Sequence, residues 1–391
     1  MKKLLIIICL FIVICFFIFN MKAEDNERKI VNGKREDRGI FISYIDLGKY
    51  IKNEDSDISK ENVRVMLDNI CSMKFNMIIL QVVSFSDAIY ESNIYPWSRV
   101  VSNEEGVYPG YDVLDYFIEE AHKRGILVYA WINPYRVRSS YDIESISEKN
   151  PAYKYLNTDT LYINGGIYYN PAKEEVLELI VSGVEEIVSK YKIDGLLFDD
   201  YFYPALDVSL KDYEEYLKKE NMTFEQYKLM IINMMVERVH EVCKRNKIIF
   251  GISPDGNIEN NYNKVFADVK LWLSSDKYID FIMPQVYYGF FNEMKPFSKV
   301  IKEWNDLIKV DSIDMYVALA FYKVGSIDNY AKEGKFEWQM NDNVIMKEII
   351  LSRNLKRYKG FVLFRYGNLF DSDMYTTTTL KEIENIKKIV K

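Results

Sequence analysis

The chain has 391 residues, of which 49% are hydrophobic and 28% charged, a balance that excludes intrinsically disordered and collagen-like proteins. Its formal net charge of -7 argues against a nucleic-acid partner, because proteins that bind phosphate backbones need a basic surface. With 2 histidines and no CxxC spacing among its 4 cysteines, the sequence favours neither a zinc site, a Ser-His-Asp triad nor a disulfide framework. We therefore expect neither a metal ion nor a cofactor.

An apolar run over residues 4–19 follows two lysines near the N-terminus, which is the pattern of an export signal. Cleavage after Ala23 would place Met21 where signal cleavage sites have a small residue, so an uncleaved membrane anchor is favoured over a cleaved signal. We predict an exported protein, either held at the cell membrane with its domain outside or secreted. The predicted parts are a signal peptide or anchor at residues 1–22, a polar tether at residues 23–38 and one domain at residues 39–391.

The rest of the chain alternates β-rich stretches with helical periodicity. Apolar residues spaced at i, i+3, i+4 and i+7, as over residues 63–70, predict helices between the strands. Strands are predicted at residues 39–46, 77–82, 126–133, 195–200, 248–253, 279–286, 315–322 and 360–366. Because each crossover returns the chain in the same direction, the sheet is parallel, and eight strands predict a single (β/α)8 TIM barrel of the α/β class. A doubly wound nucleotide-binding fold is the alternative, but no GxGxxG motif follows the first strand.

Polar or aromatic residues stand at the carboxyl end of almost every predicted strand, where the active sites of such barrels form. Carboxylates, amides and aromatic rings without histidine favour hydrolysis of a glycosidic bond, because rings stack on sugars and carboxyl groups supply acid and base. For Asp46, capping of a loop is an equally good interpretation. The residues that we expect to bind substrate are Asp46, Gln81, Trp131, Asn133, Tyr135, Arg136, Tyr201, Gln285, Tyr287, Tyr322 and Tyr366.

Two adjacent aspartates, Asp199 and Asp200, close the fourth predicted strand. Confined carboxylates repel each other, so one of them should stay protonated, as a general acid requires. We predict Asp200 as the acid and Asp199 as its supporting group, although alternation along a strand leaves open which side chain faces the substrate. Asp255 is the leading candidate for the partner base or nucleophile, with Asp46 as the alternative.

Several motifs occur in an order that resembles a known bacterial family. They are Trp131-Ile-Asn-Pro-Tyr-Arg136, Phe198-Asp-Asp-Tyr-Phe-Tyr-Pro204, Gly251-Ile-Ser-Pro254 and Pro284-Gln-Val-Tyr287. Over about residues 39–370 the chain resembles the glycosyl-hydrolase-like, family 10 glycosylhydrolase barrels, once known as a domain of unknown function. The resemblance implies a barrel glycoside hydrolase of the bacterial envelope, with a cell-wall polysaccharide, peptidoglycan glycan strands, as its expected substrate.

A non-catalytic glycan-binding barrel at the cell surface is the competing hypothesis. Tyr201 occupies the position at which chitinase-type barrels carry their acid, and no carboxylate ends the seventh predicted strand. A carbohydrate deacetylase is disfavoured, because it usually needs histidine and aspartate ligands for a metal ion. The sequence leaves the oligomeric state open.

Overall fold

A computed structural model describes residues 30–31, 34–52, 55–205, 207–218 and 220–390. The predicted signal or anchor at residues 1–22 lies outside these residues, as does most of the predicted tether. In the part of the chain that the structure describes, no helix is both long and apolar enough to cross a membrane. The barrel is preceded by a short antiparallel hairpin of Ile30–Val31 and Lys34–Arg35.

Eight parallel strands close into a barrel, in which each strand pairs with the next in the chain and the last pairs with the first. The strands are β1 (Asp37–Ile42), β2 (Met77–Val83), β3 (Leu127–Ile132), β4 (Gly195–Phe198), β5 (Ile249–Ile252), β6 (Phe281–Ile282), β7 (Asp314–Leu319) and β8 (Tyr358–Leu363). This topology confirms the predicted (β/α)8 barrel, including its strand order.

Helices cover the outside of the barrel and bury their apolar faces against the strands. The helix Val113–Lys123 after β2 is followed by Gly125, which adopts a φ of 69° that a residue without a side chain tolerates. The α-helices are Tyr44–Tyr50, Ser56–Ser72, Val113–Lys123, Glu174–Lys190, Leu210–Tyr216, Phe224–Arg245, Ile258–Lys264, Val269–Trp272, Phe297–Leu307, Glu337–Met340, Val344–Ser352, Tyr366–Phe370 and Thr377–Ile389. Short 3-10 helices lie at Tyr153–Tyr155, Phe321–Lys323, Asn329–Gly334 and Ser372–Met374.

Aromatic side chains fill the interior of the barrel. Phe281 lies between Tyr129 and Tyr316, with ring centroids 5.5 and 5.3 Å away. The hydroxyl of Tyr316 donates to Asp37 at 2.9 Å, which fixes the ring at the start of β1. Gly251 leaves room for this layer, because a Cβ there would lie 2.4 Å from the Phe281 ring. A substrate site therefore has to lie above the layer, at the carboxyl ends of the strands.

Several predicted strands end earlier than their sequence patterns indicate, and two of them show the cause. The predicted strand 39–46 stops at Ile42, because Ser43 and Asp46 form a capping box that starts the helix Tyr44–Tyr50. The predicted strand 279–286 is reduced to Phe281–Ile282. Its continuation contains Pro284, which has no N–H to donate to a neighbouring strand.

The first and last described parts of the barrel meet at its amino end. Arg38, the second residue of β1, donates a hydrogen bond from its guanidinium to the carbonyl of Val390 at 2.6 Å. Arg353 also donates to a carbonyl of the last helix, that of Ile389, at 3.1 Å. The C-terminal helix is therefore fastened to the same face on which β1 begins.

Candidate active site

The two aspartates after β4 lie side by side at the carboxyl end of the barrel. Asp199 is buried, whereas Asp200 is half-buried and lies further towards the surface. The side-chain amide of Asn133 donates to Asp199 Oδ2 at 2.5 Å, and the backbone N–H of Tyr201 donates to its Oδ1 at 3.3 Å. Gln285 donates to Asp200 Oδ1 at 3.3 Å. Each aspartate is therefore held by a different neighbour.

A buried chain of hydrogen bonds orients Asn133. Its Oδ1 accepts from Arg136 at 3.0 Å and from the side-chain amide of Gln81. Gln81 is itself fixed by the backbone N–H of Tyr44, which donates to Oε1 at 2.8 Å. Because Oδ1 of Asn133 is occupied by two donors, its N–H group is directed at Asp199. Gln81, Asn133 and Arg136 thus position a catalytic candidate in this structure.

The electrostatics of the aspartate pair favour a proton on Asp200. Burial raises the pKa of Asp200, the negative charge of Asp199 raises it further, and the result is a pKa of about 7. Burial also raises the pKa of Asp199, but the positive charge of Arg136 and the donor Asn133 lower it. The anionic form of Asp199 is therefore the better stabilised of the two, and its charge keeps the proton on its neighbour.

Asp255 follows β5, the strand next to β4, and contributes a third carboxylate. Its charge is one of the causes that raise the pKa of Asp200. The backbone N–H of Asn257 donates to its Oδ1 at 2.7 Å, and Asn260 donates to Oδ2 at 3.2 Å. The hydroxyl of Tyr288 lies 3.4 Å from Oδ1. Asp255 is thus brought close to the pair, as predicted, but most of its acceptor positions are used.

Aromatic rings from several strands pack together at the carboxyl end of the barrel. Tyr287 packs edge-on against Tyr322, with centroids 5.8 Å apart, and lies 5.9 Å from Phe364. Trp131 packs edge-on against Phe41 at 5.5 Å. Tyr322 is 40% exposed, so its ring is accessible to a ligand. These rings form an aromatic wall suited to sugar faces.

Tyr201 and Arg136 pack against each other beside the aspartate pair. Tyr201 is 45% exposed, and the guanidinium of Arg136 lies 4.9 Å from the centroid of its ring. Burial and the charges of Asp200 and Asp199 raise the pKa of Tyr201 to about 12, so the phenol is neutral at physiological pH. Tyr201 therefore offers a ring and a hydroxyl, but no acid strong enough to replace a carboxyl group.

Three residues predicted to bind substrate lie elsewhere. Tyr135 is 1% exposed and packs in the core between the strands and the helices. Asp46 is fully buried, and it accepts hydrogen bonds from the backbone and hydroxyl of Ser43, both at 2.9 Å, and pairs with Arg365. Tyr366 is buried within the layer of helices outside the barrel. At these positions the three residues do not reach a substrate in the cleft. The position of Asp46 instead agrees with its interpretation as a cap.

Tyr366 lies outside the cleft because the eighth strand is shorter than its sequence pattern predicts. The strand ends at Leu363, and the chain then turns into a helix in which Tyr366 packs against Phe370 with ring centroids 4.8 Å apart. The residue that does reach the aromatic wall is Phe364, which was not among the predicted site residues. Alternation along β8 could have identified Phe364, because Val362, two residues earlier, points into the barrel.

Asp87 and Lys323, which are also close to strand ends, have structural partners. Ser98 donates to Asp87 at 2.7 Å, and Asp87 is fully buried. Lys323 pairs with Asp328 at 2.7 Å and donates to the carbonyl of Tyr287 at 2.8 Å. Among the described residues, no three His, Cys, Asp or Glu side chains are placed to hold a metal ion.

Comparison with solved structures finds the same barrel fold in other proteins. The structure matches the glycoside hydrolase domain of PgaB (BpsB) from Bordetella bronchiseptica with a TM-score of 0.59 and 12% identity, over 91% of this chain and 98% of that one. It matches alpha-L-fucosidase isoenzyme 2 from Paenibacillus thiaminolyticus with a TM-score of 0.56 and 12% identity, over 91% of this chain and 49% of the other. At such low identity, these matches show the fold alone.

Sequence comparison identifies the family. The chain is 30% identical over 334 residues to glycosyl hydrolase YngK of Bacillus subtilis strain 168, covering 79% of this chain and 64% of that protein. It is 31% identical over 328 residues to glycosyl hydrolase DigH of Escherichia coli K12, covering 76% of this chain and 74% of the other. The match thus spans less than two thirds of the Bacillus protein. A sequence profile described as Glycosyl hydrolase-like 10 matches residues 36–335, and the chain belongs to this family.

Proposed function

We propose that this barrel hydrolyses glycosidic bonds in a bacterial envelope polysaccharide, namely the glycan strands of peptidoglycan. One observation carries the proposal: a carboxyl group with a pKa of about 7, Asp200, lies beside a hydrogen-bonded carboxylate, Asp199, at the carboxyl end of β4. A group with this pKa retains a proton near neutral pH and can release it. The aromatic wall and the family membership support a glycan as the substrate.

In the proposed mechanism, Asp200 protonates the glycosidic oxygen as the bond to the leaving sugar breaks. Asp199 remains anionic and stabilises the positive charge that develops on the sugar ring. Asn133 and Arg136 keep Asp199 in this state, because both favour its anionic form. Asp255 is the proposed base that takes a proton from the attacking water.

A rate measurement on glycan strands tests this proposal. Purified peptidoglycan is incubated with the wild-type protein and with Asp200→Asn, and released reducing ends are counted. We expect release by the wild type only, because the amide keeps the shape of the carboxyl group and cannot donate a proton. The wild-type rate should also fall as pH rises through about 7, since the acid form of Asp200 is required. Release by Asp200→Asn at the wild-type rate contradicts the assignment of the acid.

A non-catalytic glycan-binding barrel is the second candidate. The observation that favours it is the environment of Asp255, whose carboxylate already accepts from Asn257 and Asn260 and lies next to the hydroxyl of Tyr288. Those contacts restrict its use as a base. Binding of glycan strands without release of reducing ends by the wild type would establish this function instead.

We also propose that the protein is exported, with the barrel outside the cell membrane. The lysines and the apolar run at the N-terminus support this proposal, and they lie outside the described residues. The protein should fractionate with membranes or appear in the medium, and protease added to intact protoplasts should degrade the cell-associated form. Full-length protein in the soluble cytoplasmic fraction, protected from that protease, would contradict export.

A further inference from the structure

A pocket of about 350 Å³ lies between a helix that follows β4 and a helix that follows β5, and we call it the outer pocket. One side is formed by the first turns of the helix Phe224–Arg245, and the other by the helix Ile258–Lys264. Helices that follow barrel strands run back towards the amino ends, so their first turns lie at the carboxyl ends. The outer pocket is therefore on the same face as the catalytic aspartates. Its lining includes Phe224, Glu225, Lys228, Tyr262, Asn263 and Phe266.

Two contacts connect the outer pocket to the catalytic residues. Tyr203, in the loop that starts with Asp199 and Asp200, packs edge-on against Phe266 with ring centroids 5.2 Å apart. On the other side, the side-chain amide of Asn261 donates to the backbone carbonyl of Asp255 at 2.7 Å. The loop after β4 therefore carries Asp199 and Asp200 at its start and contacts the outer pocket further on. The segment after β5 likewise carries Asp255 and then forms a wall of the outer pocket.

The side chains of the outer pocket combine ring faces with polar groups. Tyr262 is 41% exposed, and the amide of its neighbour Asn263 is exposed as well. Lys228 is 3% exposed, and its ammonium lies 3.9 and 4.2 Å from the ring centroids of Phe266 and Phe224. These rings hold the ammonium at the wall of the pocket by cation–π attraction.

The charges that line the outer pocket decide which ligand fits. Lys228 brings a positive charge, and Glu225 brings a negative charge from the same helix turn. A carboxylate or phosphate ligand would be attracted by one and repelled by the other. An uncharged ligand avoids this repulsion, its hydroxyl and amide groups can bond to Glu225 and Asn263, and the exposed ring of Tyr262 offers it a face for stacking.

We propose that the outer pocket is a distal subsite that binds an uncharged hexose or N-acylhexosamine unit of a glycan chain. This inference rests on the proposed function and deepens it. Because the pocket lies beyond the loops that carry Asp200 and Asp255, it engages a sugar unit that is separated along the chain from the bond to be cleaved. The preferred substrate is accordingly an extended glycan, and a disaccharide leaves the subsite empty.

Calorimetric titration of the Asp200→Asn protein tests this inference without turnover. The probes are glycan strands released from purified peptidoglycan by an amidase, separated into disaccharides and long strands. We expect long strands to bind roughly tenfold more tightly than disaccharides, the scale of one stacked ring. Adding Tyr262→Ala or Asn263→Ala should remove much of this advantage and leave disaccharide affinity unchanged. The control is Tyr278→Ala, a half-buried tyrosine just before β6, at the amino end of the barrel.

The possible outcomes separate the subsite from the proposed function. Long strands that bind Tyr262→Ala as tightly as its parent overturn the subsite, and so does an equal loss for long strands and disaccharides. If the parent binds no strand of any length, both the subsite and the proposed glycan function fail. If the wild type cleaves strands but its KM does not depend on their length, the subsite fails alone. A length-dependent KM that Tyr262→Ala raises, with kcat unchanged, supports it.

Discussion

Two regions of the molecule contain neighbouring acids with raised pKa values. At the carboxyl end of the barrel, Asp199 and Asp200 lie beside the aromatic wall. In the outer layer, Glu348 and Glu382 are fully buried between the helices Val344–Ser352 and Thr377–Ile389. Burial raises the pKa of Glu382 to about 7, and burial together with the charge of Glu382 raises that of Glu348 well above its usual value.

The two pairs differ in what surrounds them. Asn133 and Gln285 donate hydrogen bonds to the aspartates, each to a different one. Glu382 accepts from the backbone N–H of Met346 at 2.8 Å, but neither carboxyl oxygen of Glu348 has a hydrogen-bond partner among the described residues. A raised pKa therefore reports burial in both regions. It points to catalysis only where oriented donors and access to a cleft accompany it.

The sharpest contrast is expected in turnover. Asp200→Asn should lower kcat on glycan strands by about 10²-fold or more, because it removes the proton that the leaving group needs. Glu348→Gln, which makes the same chemical change in the buried pair, should leave kcat unchanged. Steady-state rates on purified glycan strands compare the two variants. If both variants fold and lose the same fraction of kcat, the two acid pairs do not differ in their role in catalysis.

The buried glutamate pair should make the protein less stable as pH rises. Glu382 has a raised pKa in the folded state, so its stabilising protonation is complete below its unfolded pKa of about 4.3 and is lost as pH rises to about 7. This loss corresponds to roughly 3–4 kcal/mol of unfolding free energy. Urea denaturation at pH 5 and pH 8 measures the larger part of this loss, because pH 5 already lies above the unfolded pKa. Glu382→Gln should show a smaller decrease than the wild type, and an identical decrease would refute the assignment.

Asn133 offers a smaller effect on the catalytic pair. Asn133→Ala removes a hydrogen bond to a carboxylate, a contact worth about 1.5–3 kcal/mol, so kcat should fall roughly 10- to 100-fold with little change in KM. Because Asn133 lowers the pKa of Asp199, the alkaline limb of the pH–rate profile should move as well. The control is Asn69→Ala, which removes an amide that bonds Tyr366 far from the cleft. A variant with an unchanged pH profile would reduce Asn133 to a purely structural residue.

The smallest contrast concerns two tyrosines at neighbouring strand ends. Tyr322→Ala should weaken binding of glycan strands by about tenfold, because an accessible stacking face is lost. Tyr366→Ala should leave affinity unchanged and lower the melting temperature, because Tyr366 is buried against Tyr50 and Phe370. Titration calorimetry and thermal denaturation on both variants give the comparison. Loss of affinity in Tyr366→Ala alone would reverse the placement of the cleft.

The sequence pattern located strands and their order better than it located the site. Alternating periodicity and strand count predict the barrel, and the position of Asp199 and Asp200 after an apolar strand predicts their place at its carboxyl end. The pattern does not show where the chain leaves the strand direction. Ser43 starts a helix one residue after β1, which turns Asp46 into a cap, and the turn after β8 carries Tyr366 into the outer layer.

Partners that are distant in sequence were also beyond prediction. Asn133 and Arg136 were expected to bind substrate, and the structure shows that Asn133 donates to Asp199 and that Arg136 donates to Asn133. Tyr135 lies between them in sequence, yet its side chain packs into the core. A short motif can therefore contain residues that position the site and residues that only hold the fold, and sequence spacing alone does not separate them.

The junction between Arg38 and the carbonyl of Val390 has a practical consequence. The catalytic aspartates lie at the carboxyl ends of the strands, whereas β1 starts and the last helix finishes at the opposite pole. An affinity tag, a surface linker or a fused protein joined at either terminus of the barrel is therefore directed away from the cleft. Immobilised through such a handle, the domain presents its aromatic wall to an insoluble polymer in suspension.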